Sequence, residues 1–458
     1  MSSTVSTSPN RRRSSRRSRP TIRRATSSNC PRRSPTIKIR AAALSNLLIA
    51  VALSACSREG AAPALPPQVS SFAASVSYKT IYSFGQNGKA GDGLTPLADL
   101  IAVGSKLYGT TQFGGTTNGQ CYIGCGTVFK VSAQGEESVV YRFKGGSDGF
   151  SPSGGLIDVN GELFGTTSTG ANGRDCSYGC GTVFKVTTDG KSKKLLYTFA
   201  GGTDGADPVA GLIVVGGSLY GTTEYGGITT KLCSDGCGTI FKLTTSGRES
   251  IVYRFKGGKD GAQPVSRLIA LDGTLYGTTE FGGERTPFCA KGCGTLFRVS
   301  TRGSEKIVHS FKYGPDSNDG AFPMAGLTAV GGDLYGTTLG GGEVSDGTVF
   351  KANASSGAET VLHNFSCCHI KRDGRFPVAR LTRVSGLLYG TTRDGGAGNA
   401  GTIFKIAPSG SESILRSFKG RPDGAQPHGS LFLMNGTLYG TTASGGSTSE
   451  GTVFAQTP

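Results

Sequence analysis

Leu107-Tyr108-Gly109-Thr110-Thr111 is the stretch that decides the fold, because the chain writes it seven times, ending at Leu438-Tyr439-Gly440-Thr441-Thr442. The aromatic position falls at Tyr108, Phe164, Tyr220, Tyr276, Tyr335, Tyr389 and Tyr439, at intervals of 56, 56, 56, 59, 54 and 50 residues. A repeat of that length signals one supersecondary unit stacked many times, as in a solenoid or a propeller.

Each unit holds four apolar runs. The first begins at a proline, as in Pro208-Val209-Ala210-Gly211-Leu212, and the second is the Leu-Tyr-Gly-Thr-Thr phrase. Turn dipeptides such as Asn160-Gly161 and Asp272-Gly273 separate them, so the two runs are antiparallel neighbours. The third run is Gly126-Thr127-Val128-Phe129-Lys130 and its copies, and the fourth ends in an aromatic, as in Tyr141-Arg142-Phe143 and Tyr197-Thr198-Phe199. β-Branched and aromatic residues dominate and no helical period occurs, which predicts four-stranded antiparallel units. The fourth run follows each of the first six units, and its seventh copy, Ile81-Tyr82-Ser83-Phe84, stands ahead of the first. An N-terminal strand that completes the last unit closes a ring and removes the open edge of a stack. The expected fold is all-β: a seven-bladed β-propeller over 78–458, with the innermost strand of each blade beginning at its proline.

These phrases, with the repeated Asp-Gly-x-x-Pro, resemble the GloVer tandem-repeat proteins of bacterial surfaces over Tyr78 to Phe454. The resemblance implies an exported protein whose envelope anchor varies between members. It supplies no catalytic residues and no established activity.

The leader, residues 1–55, carries eleven Arg and Lys38 with no acidic residue, and ends in a mostly apolar run from Ala41 to Ala55. A basic stretch, a short apolar segment and small residues before a cleavage point make a secretory signal rather than a spanning helix. Leu53-Ser54-Ala55-Cys56 resembles a bacterial lipobox, which implies lipidation of Cys56 and a membrane anchor in the envelope. The Arg16-Arg17 and Arg32-Arg33 pairs lack the hydrophobic pattern of a twin-arginine signal. Residues 56–77, rich in Ala, Pro and Ser, read as a flexible tether. Of the formal charge of +17, all but about 5 leaves with the leader, so nucleic-acid binding is not expected.

Eight cysteines form four Cys-x-x-Gly-Cys pairs: Cys121/Cys125, Cys176/Cys180, Cys233/Cys237 and Cys289/Cys293. They stand in the connections between runs two and three of blades 1 to 4, 13 or 14 residues long against eight in blades 5 to 7. In an exported chain, matched pairs read as disulfides that staple the longer loops. A zinc site would need two pairs converging on one ion, which neighbouring blades hold too far apart. Vicinal Cys367-Cys368 fits either a ring disulfide or two thiols.

Seven Asp-Gly pairs precede the prolines, at Asp92, Asp148, Asp204, Asp260, Asp319, Asp373 and Asp423. They read as turns, since one carboxylate per blade is thin supply for a hard cation. His309 and His363 replace the fourth-run tyrosine and read as packing variants, while His369 and His428 are lone loop histidines. No phosphate loop, serine-nucleophile elbow or His-rich metal motif is present, and neither a metal nor a cofactor is expected. Glu224 and Glu280, just after the Thr-Thr phrase, are candidate glycosidase-type carboxylates, although equivalent positions on adjacent blades splay with radius. The disulfide loops and the Asp-Gly turns share one face, which also carries Phe113, Tyr122, Tyr178, Tyr225, Phe281 and Phe288. Aromatic bodies on long loops suit sugar or protein ligands. The expected function is therefore a binding or scaffold module for carbohydrate or protein, with a glycoside hydrolase or lyase as the alternative.

Overall fold

A computed structural model describes residues 77–86, 91–171, 176–315, 317–366 and 373–458. The leader, Cys56, nearly all of the tether, Cys367, Cys368 and His369 lie outside the described residues. The described chain is all-β, with single 3-10 turns such as Gly146–Asp148 and Gly202–Asp204. None of its helices is long and apolar enough to cross a membrane.

Seven antiparallel sheets make a seven-bladed propeller. Blade 3 shows the plan: inner strand Ile213–Val215, second strand Ser218–Thr223, third strand Thr239–Thr244 and outer strand Glu249–Arg254, hydrogen-bonded in that order. The ring closes as the sequence predicts. Tyr78–Ser83 pairs antiparallel with Thr452–Gln456 and forms the outer strand of blade 7.

One expectation is corrected. The inner strand is only three residues long and starts five residues after the proline, at Ile101 after Pro96 and at Ile213 after Pro208. Proline donates no ladder hydrogen bond. The residue before it is held at φ between 56° and 60° in all seven blades. The chain therefore turns into the axis and runs along it before pairing begins.

The blades face one another, so both faces of each sheet are buried and the core consists of seven seams. In each seam an outer-strand Phe meets the third-strand Phe of the next blade edge-on, as in Phe199–Phe241 at 5.0 Å and Phe255–Phe297 at 5.1 Å. The N-terminal Phe84 closes this cycle on Phe129 at 5.0 Å. Such pairs add about 0.5–1.5 kcal/mol each beyond the area they bury.

The repeated phrase is now legible residue by residue. Leu219 and its equivalents are fully buried. Gly221 lies opposite Phe241 across the ladder, where the ring leaves no room for a side chain. The first Thr donates to a carbonyl of the next blade in six of the seven copies, as Thr166 Oγ1 to Ala210 O at 3.0 Å. The second Thr bonds the first Thr of the third strand, as Thr223 Oγ1 to Thr239 Oγ1 at 2.8 Å.

Candidate functional site

All four cysteine pairs are joined as disulfides: Cys121–Cys125, Cys176–Cys180, Cys233–Cys237 and Cys289–Cys293. Such bridges belong to oxidising, extracytoplasmic compartments. Three of the bridges, Cys121–Cys125, Cys233–Cys237 and Cys289–Cys293, close loops whose turn is also capped by a side chain. Asn118 Oδ1 accepts the Gln120 N–H at 2.8 Å, and Thr286 Oγ1 accepts those of Phe288 and Cys289, both at 3.2 Å. The second cysteine of each pair also holds the next blade in place. Its carbonyl accepts the N–H of the pre-proline residue, as Cys180 O from Asp207 at 2.9 Å and Cys237 O from Gln263 at 2.8 Å. That contact helps hold the left-handed backbone there.

The loop aromatics divide into two groups. Tyr122, Tyr178 and Phe288 are 81%, 68% and 56% exposed, on the tips of the disulfide loops. Tyr225 and Phe281 are half-buried, bridge to Ala206 and Ala262, and pack against the seams below. Phe113 is also half-buried and pairs with Leu94 in a two-residue ladder. Between the loops of blades 1 and 2 lies a cavity of about 180 Å³ lined by Gln120, Cys176 and Tyr178. Gln120 Oε1 accepts the Gly146 N–H there at 2.6 Å.

Nearer the axis, the residues before each proline and after each Thr-Thr phrase form a rim. In blades 3 and 4 this rim is acidic. Burial, then the Glu224 carboxylate, pushes Asp207 up to about 7. The same two causes, in the same order, push Glu280 up to about 7. Burial raises Glu224 as well, while a hydrogen bond from Tyr225 opposes it. Glu224 and Glu280 are thus close enough to sense one another, because the positions after Thr-Thr stand near the axis, where blades have not yet diverged. In blade 6 the rim is aromatic and cationic: the Arg375 and Arg393 guanidiniums each lie 5.2 Å from the Phe376 ring.

Below the rim, all seven blades line an axial cavity of about 110 Å³. Ligand pockets are commonly about 300–1,000 Å³, so this channel has room for waters or a small ion but not for a sugar ring. The third residue after each proline sets its waist: Asp99, Arg267 and Arg380 project where other blades have glycine or serine. Asp99 Oδ1 accepts the Ser430 N–H at 2.6 Å. Arg267 is pushed down by burial, with Asp99 opposing and Arg380 adding to that shift. His428, read from sequence as a lone loop histidine, lines this channel and is pushed down to about 4 by burial, then by Arg393.

Sequence reasoning missed Asp207, Asp99, Arg267 and Arg380. Aligning the seven repeats on their prolines would have found them, since those two columns vary while the phrases around them do not. The seven Asp-Gly aspartates are used by the fold, as expected of turns. Asp204, for example, accepts the Ala200 N–H and the Tyr197 O–H, both at 2.7 Å.

A model of the Gloeobacter/Verrucomicrobia repeat matches residues 68–232, 124–316 and 227–454, which together span the whole propeller. The chain belongs to this repeat family. No curated protein matches it in sequence. Among solved structures, the repeat chain is similar to a putative 6-phosphogluconolactonase from Bacteroides uniformis, at 15% identity and TM-score 0.47, covering 73% of this chain and 89% of that one. It is similar to an oligogalacturonate lyase in complex with manganese, at 12% identity and TM-score 0.47, covering 83% and 96%. It is also similar to a nidogen/laminin complex chain, at 13% identity and TM-score 0.38, covering 64% and 91%.

Proposed function

We propose that this chain is an exported, lipid-anchored envelope protein whose propeller binds a polysaccharide through the loop face of blades 1 to 4. One observation carries the reading. Of the seven large hydrophobic side chains exposed among the described residues, five (Tyr122, Ile123, Tyr178, Ile228 and Phe288) lie on the long connections that contain the disulfides. Exposed apolar groups gathered on one face mark an interaction surface. Aromatic rings with polar tips pack on the C–H faces of sugars while their edges stay wet. The loops that carry them are fixed at their bases by disulfides, so little ordering entropy is lost on binding. Lipidation at Cys56 and the Ala/Pro/Ser tether would hold this face away from a membrane.

A thermal-shift screen of the oxidised chain against a glycan and polysaccharide panel, with and without Ca²⁺, tests the proposal. A ligand at about 100 times its Kd adds about 2.7 kcal/mol of stability. The shift is expected to shrink in Tyr122→Ala, Tyr178→Ala and Phe288→Ala. If no glycan shifts the melting temperature, carbohydrate recognition is wrong and a protein partner becomes the reading to pursue.

The acidic rim favours a second reading, a glycoside hydrolase or lyase. Glu280, pushed up to about 7 by burial, can donate or accept a proton at neutral pH, and burial raises Glu224 beside it. Turnover of a bound glycan that is lost in Glu224→Gln or Glu280→Gln, with binding retained, would separate this enzyme from a lectin.

A further inference from the structure

At the outer end of every seam the same three positions meet. The residue two before the outer-strand Phe bonds the aspartate of the next Asp-Gly turn, and a residue early in the following outer strand approaches them both. In three seams the set is Tyr–Asp–Glu, as Tyr253, Asp260 and Glu305, with the Tyr253 O–H 2.6 Å from Asp260 and 3.4 Å from Glu305. Among the described residues, two seams contain a cation supplied by the chain itself. Lys193 Nζ stands 2.6 Å from Asp148 Oδ1 in one, and Arg416 Nη2 stands 2.7 Å from Asp423 Oδ2 in the other. The position therefore accommodates positive charge. The two remaining seams have histidine in place of tyrosine.

We propose that these two seams, His309–Asp319–Glu359 and His363–Asp373–Glu412, each bind one divalent transition-metal ion of the Zn²⁺ or Mn²⁺ class. In both, one ligand atom from each residue lies within 4.8 Å of the other two. Nε2 of His309 is 3.1 Å from Asp319 Oδ2, and Nε2 of His363 is 3.2 Å from Asp373 Oδ2. Ligands about 2.0–2.2 Å from one ion, at angles between octahedral and tetrahedral, stand about 3.0–3.5 Å apart. The His and Asp atoms already have that spacing, and a small rotation of the Glu completes the set. Each aspartate is fixed from behind by backbone donors: Lys312 N at 2.9 Å and Gly320 N at 2.7 Å on Asp319, Ser366 N at 3.2 Å and Gly374 N at 2.7 Å on Asp373. Outer contacts of this kind orient metal ligands.

Glu359 Oε1 is buried without a hydrogen-bond partner among the described residues, and a cation would satisfy it. The same oxygen is left over at Glu249 and Glu305 in tyrosine seams, so the imidazole is what distinguishes the two sites. A phenol held neutral by burial is a poor ligand, whereas a neutral imidazole beside two carboxylates makes an N/O set that balances a divalent ion. Calcium and magnesium prefer all-oxygen shells. Both histidine side chains are about one-fifth exposed, at 21% and 19%, which leaves the ion a path from the outer surface.

Isothermal titration of the EDTA-stripped, oxidised full chain with Zn²⁺ and Mn²⁺, checked by elemental analysis after dialysis, tests the proposal. The informative variants are His309→Tyr and His363→Tyr. Each installs the residue other blades use at that position and keeps the bond to aspartate, so the fold is expected to persist. Wild type should take up about two ions per chain, each single variant about one, and the double variant none. Co²⁺ should give visible d–d bands that vanish in the double variant. Glu359→Gln with Glu412→Gln provides a second pair with the same expectation. No uptake by the wild type, or uptake that the double variant leaves undiminished, overturns the inference.

Discussion

Replacing Gly221 by alanine puts the packing argument to a direct test. A Cβ at this position would lie 2.5 Å from Phe241 Cζ, 2.9 Å from Phe241 Cε1 and 2.9 Å from Leu212 Cδ2. The ring has no easy escape, since Phe241 is fully buried and meets Phe199 at 5.0 Å on its other side. Two terms oppose each other. Alanine narrows the unfolded ensemble and stabilises by about 0.4–1 kcal/mol where the native backbone suits it. Overpacking a filled core costs about 1–3 kcal/mol. With an approach this short on two sides the steric term wins, for a net loss of about 1–2 kcal/mol. The unfolding entropy of a domain this size, at about 2.1 cal/mol/K per residue, converts that into a melting temperature lower by about 2 °C. The decisive assay is a double-mutant cycle with Phe241→Leu, followed by urea denaturation with the disulfides intact. Leucine lacks the atom that collides, so the pair should be less destabilised than the sum of the singles, with a coupling of about 1–2 kcal/mol. An alanine variant as stable as wild type, or strictly additive effects, would refute the steric reason for this glycine, and with it the reading of all seven phrases.

Two further outcomes are expected. Glu249, Glu280, Glu305 and Asp207 are all pushed up to about 7, by burial first and neighbouring carboxylates second, so the folded state binds their protons more tightly than the unfolded state. That stability is full below their ordinary values near 4 and is lost as pH rises through about 7. His428, pushed down to about 4, acts in the opposite sense, losing stability as pH falls from about 6.5. Four acids outweigh one histidine, so the melting temperature should fall between pH 5 and pH 8, and a rise would refute the burial argument. Cys233→Ser with Cys237→Ser should cost about 2 kcal/mol by the chain-entropy estimate for so short a loop. It should also speed amide exchange at Gln263, which bonds the Cys237 carbonyl. Unchanged exchange would mean that Thr230 and the backbone hold that loop without the bridge.

The architecture was legible because each repeated residue performs one job that needs its type. Ring closure was readable from Ile81 to Phe84, a misplaced fourth strand that had only one seam left to fill. Disulfide pairing followed from Cys-x-x-Gly-Cys in the longer loops alone. Radial position was not legible, because a sequence orders residues along the chain and says little about distance from an axis. Hence the inner strand was placed at the proline, whereas a left-handed residue before each proline first turns the chain down the channel. The same gap hid Asp207 and left the convergence of Glu224 with Glu280 open. The two histidine seams were hidden for a different reason. His309 and His363 do take the tyrosine's place and its bond to aspartate, so packing alone accounts for them until Glu359 and Glu412 arrive from the next blade.

Seven copies of one unit in one chain serve as their own control. Where a position is the same in every blade, as with the second Thr or the third-strand Phe, it closes a seam, and its side chain is spent on the scaffold. Where a position differs between blades, the scaffold has not dictated it. The pre-proline column reads Thr95, Ser151, Asp207, Gln263, Phe322, Phe376 and Gln426, although all seven share one backbone conformation and one hydrogen-bond pattern. A spacer would gain nothing from an acidic rim over blades 3 and 4 facing an aromatic and cationic one over blade 6. It would gain nothing from exposed rings on three stapled loops either, since exposed apolar surface invites association. Those departures from seven-fold symmetry are therefore where ligand contacts should be sought, and substitutions of the exposed rings Tyr122, Tyr178 and Phe288 should alter binding while leaving the melting temperature nearly unchanged.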